Sequence, residues 1–164
     1  MAADNDRPPL ISAVLARNLV ECRRLIDTGE ANVNEDRGHH SWTALHWASI
    51  RGYLEISELL VSLGADVNIR TTSYGSTALH IASYQGHLKI VQLLLCQGAD
   101  MSIRDNYGRS ALDWASSNGY LKIADCLRKW PWTMAIIALK EDLAVYHLLD
   151  ASMLIDLWQY LGTQ

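Results

Sequence analysis

Polar and apolar positions change in a fixed order along residues 77–108. Small and apolar residues first recur at helical spacing, with Thr77 placed to cap that helix and Gly86 to end it. A second, more apolar helix is predicted before Gly98. Its apolar positions are Leu88, Ile90, Val91, Leu93, Leu94 and Leu95. Residues 99–108 then predict an extended stretch and a turn, so the segment is a helix–turn–helix unit followed by a loop.

The same order returns along the chain. Residues 43–48 have the sequence TALHWA, residues 77–82 have TALHIA, and residues 110–115 have SALDWA. The first positions of these segments differ by 77 − 43 = 34 and by 110 − 77 = 33 residues. A fixed period of this size indicates supersecondary units that stack. Because one such unit cannot bury its apolar face alone, we expect neighbouring units to share one continuous core.

These residues resemble the ankyrin family, whose signature is T-P-L-H-x-A and whose period is about 33 residues. The resemblance is good over residues 35–130, and a degenerate first unit precedes them. The signature proline is replaced by alanine in all three copies, and Asp113 replaces the histidine of the third. These departures weaken the local consensus without moving the period. The resemblance implies an all-α solenoid of stacked helix–turn–helix units with short β-hairpin-like loops.

We expect a single ankyrin-repeat domain over residues 1–164. Its predicted parts are a degenerate first repeat at 8–34, repeats at 35–70, 71–104 and 105–130, and a degenerate repeat with a helical C-terminal cap at 131–164. In the last part, residues 132–140 and 143–149 predict two helices, and residues 153–161 predict a final helix with an apolar stripe. That helix is expected to cap the stack. The alternative is a docking helix anchored by Trp158 and Tyr160.

Composition narrows the classes of partner. The chain has a net charge of −4 and no long run of Lys or Arg, which argues against nucleic acid. It has no run of about 18 apolar residues, so no membrane span is expected. No signal pattern is present at the N-terminus, and the three cysteines fit free, buried thiols in a reducing compartment. We therefore expect a cytoplasmic or nuclear protein that is a monomer when unbound.

The histidines do not predict a catalytic or metal site. His46 and His80 occupy the same position of the repeat, where the resemblance implies a ring that hydrogen-bonds the preceding threonine and the neighbouring loop backbone. His39 and His40 lack Cys or acidic partners at ligand spacing, and zinc needs three or four ligands. No nucleophile signature or glycine-rich phosphate loop is present. No catalytic residue, metal or cofactor is therefore expected.

Four other residues have two interpretations each. Cys22, Cys96 and Cys126 fall in apolar helical patterns, which favours packing over redox chemistry. Asn68 lies in an Asp-Val-Asn sequence that is similar to the sites that asparaginyl hydroxylases modify in ankyrin proteins. The alternative, which we favour, is a turn asparagine that hydrogen-bonds its own loop.

The aromatic residues are the best candidates for a binding surface. The resemblance implies that partners bind at the loop tips and at the exposed side of the first helices. By repeat position, the candidate residues are His39, His40, Trp42, Arg51, Tyr74, Tyr84, Gln85, Tyr107, Arg109 and Asn118. Trp, Tyr and Arg dominate the energetics of protein interfaces, so these residues predict one protein-binding strip on the concave face. The alternative is that the aromatic rings only shield the loop backbone.

Repeats and caps occupy nearly all of the chain, which leaves no room for a catalytic domain. We therefore expect a non-catalytic protein-interaction module, an adaptor or scaffold, that binds a protein partner through the concave strip. The alternative is a regulatory subunit, inhibitor or assembly chaperone of an enzyme complex. The sequence does not identify the partner, because a fold alone does not define function.

Overall fold

The structure is a computed structural model that describes residues 8–35 and 41–141, with side chains as far as residue 131. In these ranges every regular element is a helix. In chain order the helices are α1 (Pro9–Leu15), α2 (Leu19–Asp27), α3 (Ala44–Arg51), α4 (Leu54–Ser62), α5 (Ala78–Gln85), α6 (Leu88–Cys96), α7 (Ala111–Ser117) and α8 (Leu121–Glu141). The prediction of an all-α fold is confirmed.

Consecutive helices pack in pairs, and the pairs stack on one another. Helix α1 contacts α2, α3 contacts α4, and α5 contacts α6. The first helices of the pairs, α1, α3, α5 and α7, pack side by side in one row. The second helices α2, α4 and α6 form another row. This is the stacking that the period of the sequence predicted.

The core consists of apolar residues that repeat from unit to unit. Leu45 in α3 and Leu79 in α5 hold the same position of the repeat and are 2% and 1% exposed. Ile56 and Leu60 of α4 are fully buried, and the matching residues of α6 are buried as well. Each such side chain contributes about 1.5–3 kcal/mol on burial, so the continuous core is the main source of stability.

The ends of the first helices follow the predicted chemistry. Thr43, Thr77 and Ser110 each precede a first helix in an extended conformation and form a capping box with the residue three positions later. Gly52 and Gly86 end α3 and α5 with φ of 72° and 83°, in the left-handed region that glycine enters without strain. The helix boundaries are therefore determined locally, by the cap at one end and the glycine at the other.

The loops between the units are hairpin-like turns. The backbone N–H of Thr71 donates to the oxygen of Ser76 at 2.9 Å, and that of Asp105 donates to the oxygen of Arg109 at 2.9 Å. Consecutive tips are joined, because the N–H of Asn106 donates to the oxygen of Tyr74 at 2.8 Å. These hydrogen bonds hold the tips, which carry aromatic side chains, in a defined position beside the first helices.

The chain divides into two compact units, residues 1–124 and residues 125–164. Helices α1 to α7 belong to the first, and the described part of the second, residues 125–141, is the remainder of α8. Helix α8 continues through Pro131, so the prediction of a separate helix at 132–140 is wrong. Since a proline has no backbone N–H, Pro131 cannot donate the hydrogen bond that other residues inside a helix make.

The remaining predictions for the C-terminal part concern residues 143–149 and 153–161, including Trp158 and Tyr160, which lie outside the described residues. The sequence limits assigned to the individual repeats remain predictions.

Candidate binding groove

The side chain of His46 joins the start of α3 to the loop that follows α4. The backbone N–H of Thr43 donates to Nδ1 of His46 at 3.1 Å, and the Thr43 hydroxyl lies 2.8 Å from the same nitrogen. Nε2 of His46 lies 3.1 Å from the backbone oxygen of Ile69. A carbonyl oxygen only accepts, so Nε2 carries the proton and Nδ1 is the acceptor. The ring is therefore neutral and has both nitrogens occupied.

His80 repeats this arrangement one unit later. Its Nδ1 accepts from the backbone N–H of Thr77 at 3.2 Å, and its Nε2 donates to the backbone oxygen of Arg109 at 3.2 Å. Burial lowers the pKa of His46 to about 4 and also lowers the pKa of His80, because desolvation opposes the charged imidazolium. The structural role that the resemblance implied for the two rings is confirmed.

The third repeat keeps the helix cap but changes its chemistry. Oδ2 of Asp113 accepts from the backbone N–H of Ser110 at 2.8 Å and from the Ser110 hydroxyl at 2.7 Å. The Ser110 hydroxyl in turn accepts from the Asp113 N–H at 3.2 Å. Hydrogen bonds from Ser110 lower the pKa of Asp113, which is therefore ionised at neutral pH. An ionised carboxylate has no proton to donate, so Asp113 caps α7 without the forward bond that the histidines make.

Asp105 organises the last hairpin-like loop. Its Oδ1 accepts from the backbone N–H groups of Tyr107 and Arg109, both at 2.9 Å, and its Oδ2 accepts from the indole N–H of Trp114 at 2.8 Å. The residue is only 5% exposed. Burial alone would raise the pKa of Asp105, but these hydrogen bonds lower it below its usual value. The buried carboxylate thus fixes both the loop and the ring of Trp114.

The guanidinium of Arg109 lies on a platform of aromatic rings. It is 4.1 Å from the ring centroid of Trp114 and 5.3 Å from that of Tyr107, within the range of cation–π attraction. Tyr84 contacts Trp114 edge to face, with ring centroids 5.0 Å apart. Side chains from α5, α7 and the loop between the units therefore form one stacked cluster.

A groove of about 560 Å³ lies between the loop tips and the first helices α3, α5 and α7, and we call it the aromatic groove. Six of the residues predicted for the binding strip line it, namely Trp42, Tyr74, Tyr84, Gln85, Tyr107 and Arg109. The other lining residues are Ile50, Ser76, His80, Ile81, Asp105 and Trp114. Trp42 is held in place by Trp47 and His46, whose ring centroids are 5.2 Å and 5.9 Å away. The volume is within the range of small-molecule and peptide pockets.

Two of the predicted strip residues, Arg51 and Asn118, do not line the groove. Arg51 is exposed at the end of α3 and does not line it. Asn118 follows α7, and its amide donates to the backbone oxygen of Trp114 at 2.8 Å, so it finishes the helix. His39 and His40 lie outside the described residues.

Trp114 and Asp105 line the groove but are absent from the residues predicted for the binding strip. Trp114 occupies the same repeat position as Trp47 and Ile81, so it lies on a first helix, and this correspondence could have identified it. Asp105 could be found only through its partners, because its importance comes from three hydrogen bonds that no linear pattern specifies.

Asn68 links two successive loops. Its Oδ1 accepts from the N–H of Asp100 at 2.8 Å, and its amide donates to the oxygen of Gly98 at 3.3 Å. Asn34 makes the same pair of hydrogen bonds to Asp66 and Gly64, at 2.7 Å and 3.1 Å. The Asn68 side chain therefore bonds the loop of the next unit, not its own as we had favoured. Hydroxylation of Asn68 stays a prediction.

The cysteines occupy different environments. Cys22 is buried, and burial raises the pKa of its thiol to about 11. Cys126 is intermediate, whereas Cys96 is exposed at the end of α6, so the prediction of buried thiols is wrong for Cys96. All three are free. In the described part of the chain, no three His, Cys, Asp or Glu residues are grouped to hold a metal ion, and no helix has the length and hydropathy of a membrane span.

Comparison with known families agrees with the geometry. A family model for ankyrin repeats in three copies matches residues 1–71 and, in a second match, residues 64–131. A search of curated proteins gives no significant match. Since the family model covers most of the sequence, the chain belongs to the ankyrin-repeat family. Ankyrin repeats are generally protein-interaction modules and are typically non-catalytic.

Proposed function

We propose that this protein is a non-catalytic adaptor or scaffold that binds a protein partner in the aromatic groove. The observation that carries the proposal is the set of aromatic side chains that face solvent from fixed positions. Tyr74, Tyr84 and Tyr107 line the groove and are 50%, 45% and 62% exposed. Exposed tyrosines on one concave surface are unusual for a region that has only a structural role.

The rings are preorganised for an interface. Tyr84 is fixed by Trp114, Tyr107 contacts the Arg109 guanidinium, and the tip that carries Tyr74 is bonded to the next tip. Tyr and Trp supply large contact areas with few rotatable bonds, so little entropy is lost when a partner covers them. Such residues commonly form the energetic centre of protein interfaces.

The titratable groups of the groove support binding better than catalysis. His80 is neutral, and both of its ring nitrogens are occupied by the scaffold. Asp105 has its two oxygens engaged by three N–H donors. Neither group is therefore available to move a proton to or from a substrate.

The compartment that we propose is the cytoplasm or the nucleus.

The test is affinity capture of the partner with a groove variant and a matched surface variant. Tyr74→Ala, Tyr107→Ala and Arg109→Ala in combination should remove the captured protein. The matched variant combines Val20→Ala and Leu121→Ala, at apolar positions 80% and 75% exposed and outside the groove, and should retain it. Circular dichroism should show the helicity of the parent for both variants, because no substituted side chain lies in the core.

Retention of the same protein by the groove variant would show that the partner binds elsewhere. A captured enzyme whose activity falls or rises on binding would favour a regulatory subunit or inhibitor over a scaffold. Both results are compared with the protein that the parent chain captures in the same experiment.

A further inference from the structure

Among the residues that the structure describes, none accepts a hydrogen bond from the one cationic side chain that lines the aromatic groove, Arg109. In the described part of the chain, no carboxylate or carbonyl oxygen accepts a hydrogen bond from the Arg109 guanidinium. Its only interactions there are with the faces of Trp114 and Tyr107. Stacking of this kind covers the plane of a guanidinium and leaves its N–H groups, which lie in the plane, directed outward.

The other charged group of the lining does not compensate Arg109. Asp105 is 5% exposed, and its carboxylate is surrounded by the N–H groups of Tyr107, Arg109 and Trp114. Its oxygens are therefore already bonded below the surface of the groove. A ligand that enters the groove meets the positive guanidinium and not the negative carboxylate.

The neighbouring arginines are already used by the scaffold. Arg70 donates from Nε to the oxygen of Gly75 at 3.0 Å and from Nη2 to the oxygen of Arg104 at 3.0 Å. Arg104 donates to the oxygen of Gly108 at 3.0 Å and lies 3.5 Å from the carboxylate of Asp113. A single available guanidinium matches the single charge of a carboxylate, and its planar pair of donors fits the two oxygens. A phosphate dianion would need more than one available cation.

The other end of the groove is apolar. Trp42, Ser76 and Arg109 occupy the same position in three successive repeats, and Trp42 is two units away from Arg109. Packed helices lie about 8–10 Å apart, so two units correspond to roughly 16–20 Å. An extended peptide covers about 3.3–3.6 Å per residue, and about five or six residues span this distance.

We propose that the aromatic groove binds an extended acidic segment of the partner protein, with an Asp or Glu side chain on Arg109 and an apolar side chain, about five or six residues away, against Trp42. The proposal rests on the function proposed above and adds the chemistry of the partner. Carboxylate pairing at a guanidinium that is already partly desolvated by Trp114 supplies specificity, and the aromatic surface supplies contact area.

The experiment uses the full chain and an array of random synthetic peptides of about 15 residues. Peptides that bind are expected to share an Asp or Glu and an apolar residue at the stated spacing. For the best peptide, exchange of the acidic residue for its amide should weaken binding to the parent chain by about tenfold or more in calorimetry. This difference in affinity between the acidic peptide and its amide should decrease as salt is added, because dissolved ions screen the attraction between carboxylate and guanidinium.

Two variants assign the pairing to one side chain. With Arg109→Gln, the acidic peptide and its amide should bind equally, since the partner of the carboxylate is gone. With Arg51→Gln, which removes an exposed arginine outside the groove, the tenfold difference should remain. The backbone groups of Arg109 that bond Asp105 and His80 are unchanged by the substitution, so melting should be close to that of the parent.

Three results would overturn the inference. The first is that the bound peptides share no acidic residue, although the Tyr84→Ala variant of the chain no longer binds them. Binding in the groove would then stand, and only the acidic chemistry of the partner would be rejected. The second is a difference between acid and amide that survives in Arg109→Gln. The third is an array with no bound peptide alongside a native partner that is captured through the groove, because the partner would then present a folded surface.

Discussion

Nε2 of His80 donates a hydrogen bond to the backbone oxygen of Arg109, the residue whose guanidinium faces the aromatic groove. The N–H of Arg109 is held as well, because it donates to Asp105 at 2.9 Å. Both backbone groups of Arg109 are thus fixed by buried side chains of the stack. The position of the charged group in the groove is therefore a property of the scaffold, and changes in the scaffold should also alter the site.

Stability should fall in mildly acidic solution. The pKa of His46 is about 4 in the folded chain and near 6.5 when the chain is unfolded, and that of His80 is lowered as well. The unfolded state therefore binds more protons between these values, and stability is lost as the pH falls from about 6.5 towards 4. His46 alone should contribute a loss on the order of 2 kcal/mol between pH 7 and pH 4.5, measured by urea unfolding.

The control for this effect is the double variant His46→Gln and His80→Gln. It should be less stable than the parent at pH 7 but should change much less between pH 7 and pH 4.5. The lowered pKa values of Asp105 and Asp113 act at lower pH, since their contribution is lost only as the pH falls through the folded-state values. An equal loss in parent and double variant would assign the acid sensitivity to other groups.

Asp105→Asn should destabilise the chain by about 2–3 kcal/mol. An amide has only one acceptor oxygen, and its NH₂ group would face an N–H donor that now lacks a partner. Because one of the three donors is the indole of Trp114, the near-ultraviolet circular dichroism should also change. Asp66→Asn is the matched control, since exposed Asp66 accepts one hydrogen bond, from Asn68 at 2.8 Å. The Asp66→Asn substitution should lower the free energy of unfolding much less. Equal losses in the two variants would contradict the role of Asp105.

Leu79→Asp should unfold the array in one cooperative transition or prevent folding at room temperature. Leu79 is 1% exposed where first helices of neighbouring units meet, and a carboxylate there has no partner. The cost should be about 4 kcal/mol or more, from a lost apolar side chain and a buried charge. Val20→Asp, at a position 80% exposed in α2, should melt within a few degrees of the parent. A Leu79→Asp variant that melts like Val20→Asp would mean that the register is wrong.

Gly86→Ala should cost more than Gly98→Ala. Both glycines have φ near +80°, so both substitutions carry the strain of a left-handed conformation, about 1 kcal/mol. A Cβ at Gly86 would come within 2.6 Å of the Tyr120 ring, whereas nothing lies within 4 Å at Gly98. Tyr120 must swing away and lose its packing, which adds a further cost of about 0.5–1 kcal/mol. Thermal melting of the two variants gives the difference, and equal melting temperatures would argue against contact at Gly86.

The helical stack could be predicted from the sequence because its determinants are local and repeat. Thr77 and Gly86 set the ends of a helix through their own backbone conformations, and the apolar residues between them set its buried face. The repeat register also transferred positions from one unit to another and so predicted that Tyr84 and Arg109 share one surface, and both line the groove.

Other features depend on contacts between residues that are distant in sequence or on context around a single residue. The Asn68 amide bonds Gly98 and Asp100, about thirty residues on, so its own loop sequence does not reveal the partners. Cys96 falls in an apolar pattern but lies at the end of α6, where the helix turns its side chain to solvent. A proline usually ends a helix, yet α8 continues through Pro131.

His46 and His80 donate hydrogen bonds to residues later in the chain, whereas Asp113 holds the same repeat position. This difference determines which end of the array opens first. His80 hydrogen-bonds the unit that follows its own, and His46 hydrogen-bonds Ile69 in the loop after α4, but the ionised Asp113 cannot donate such a bond. Local opening should therefore begin at α7, and its amide protons should exchange with solvent before those of α5. A ligand that binds the Arg109 side chain, close to the start of α7, should slow amide exchange in α7 more than in α5. Ligand binding and local ordering would then be coupled in the same repeat.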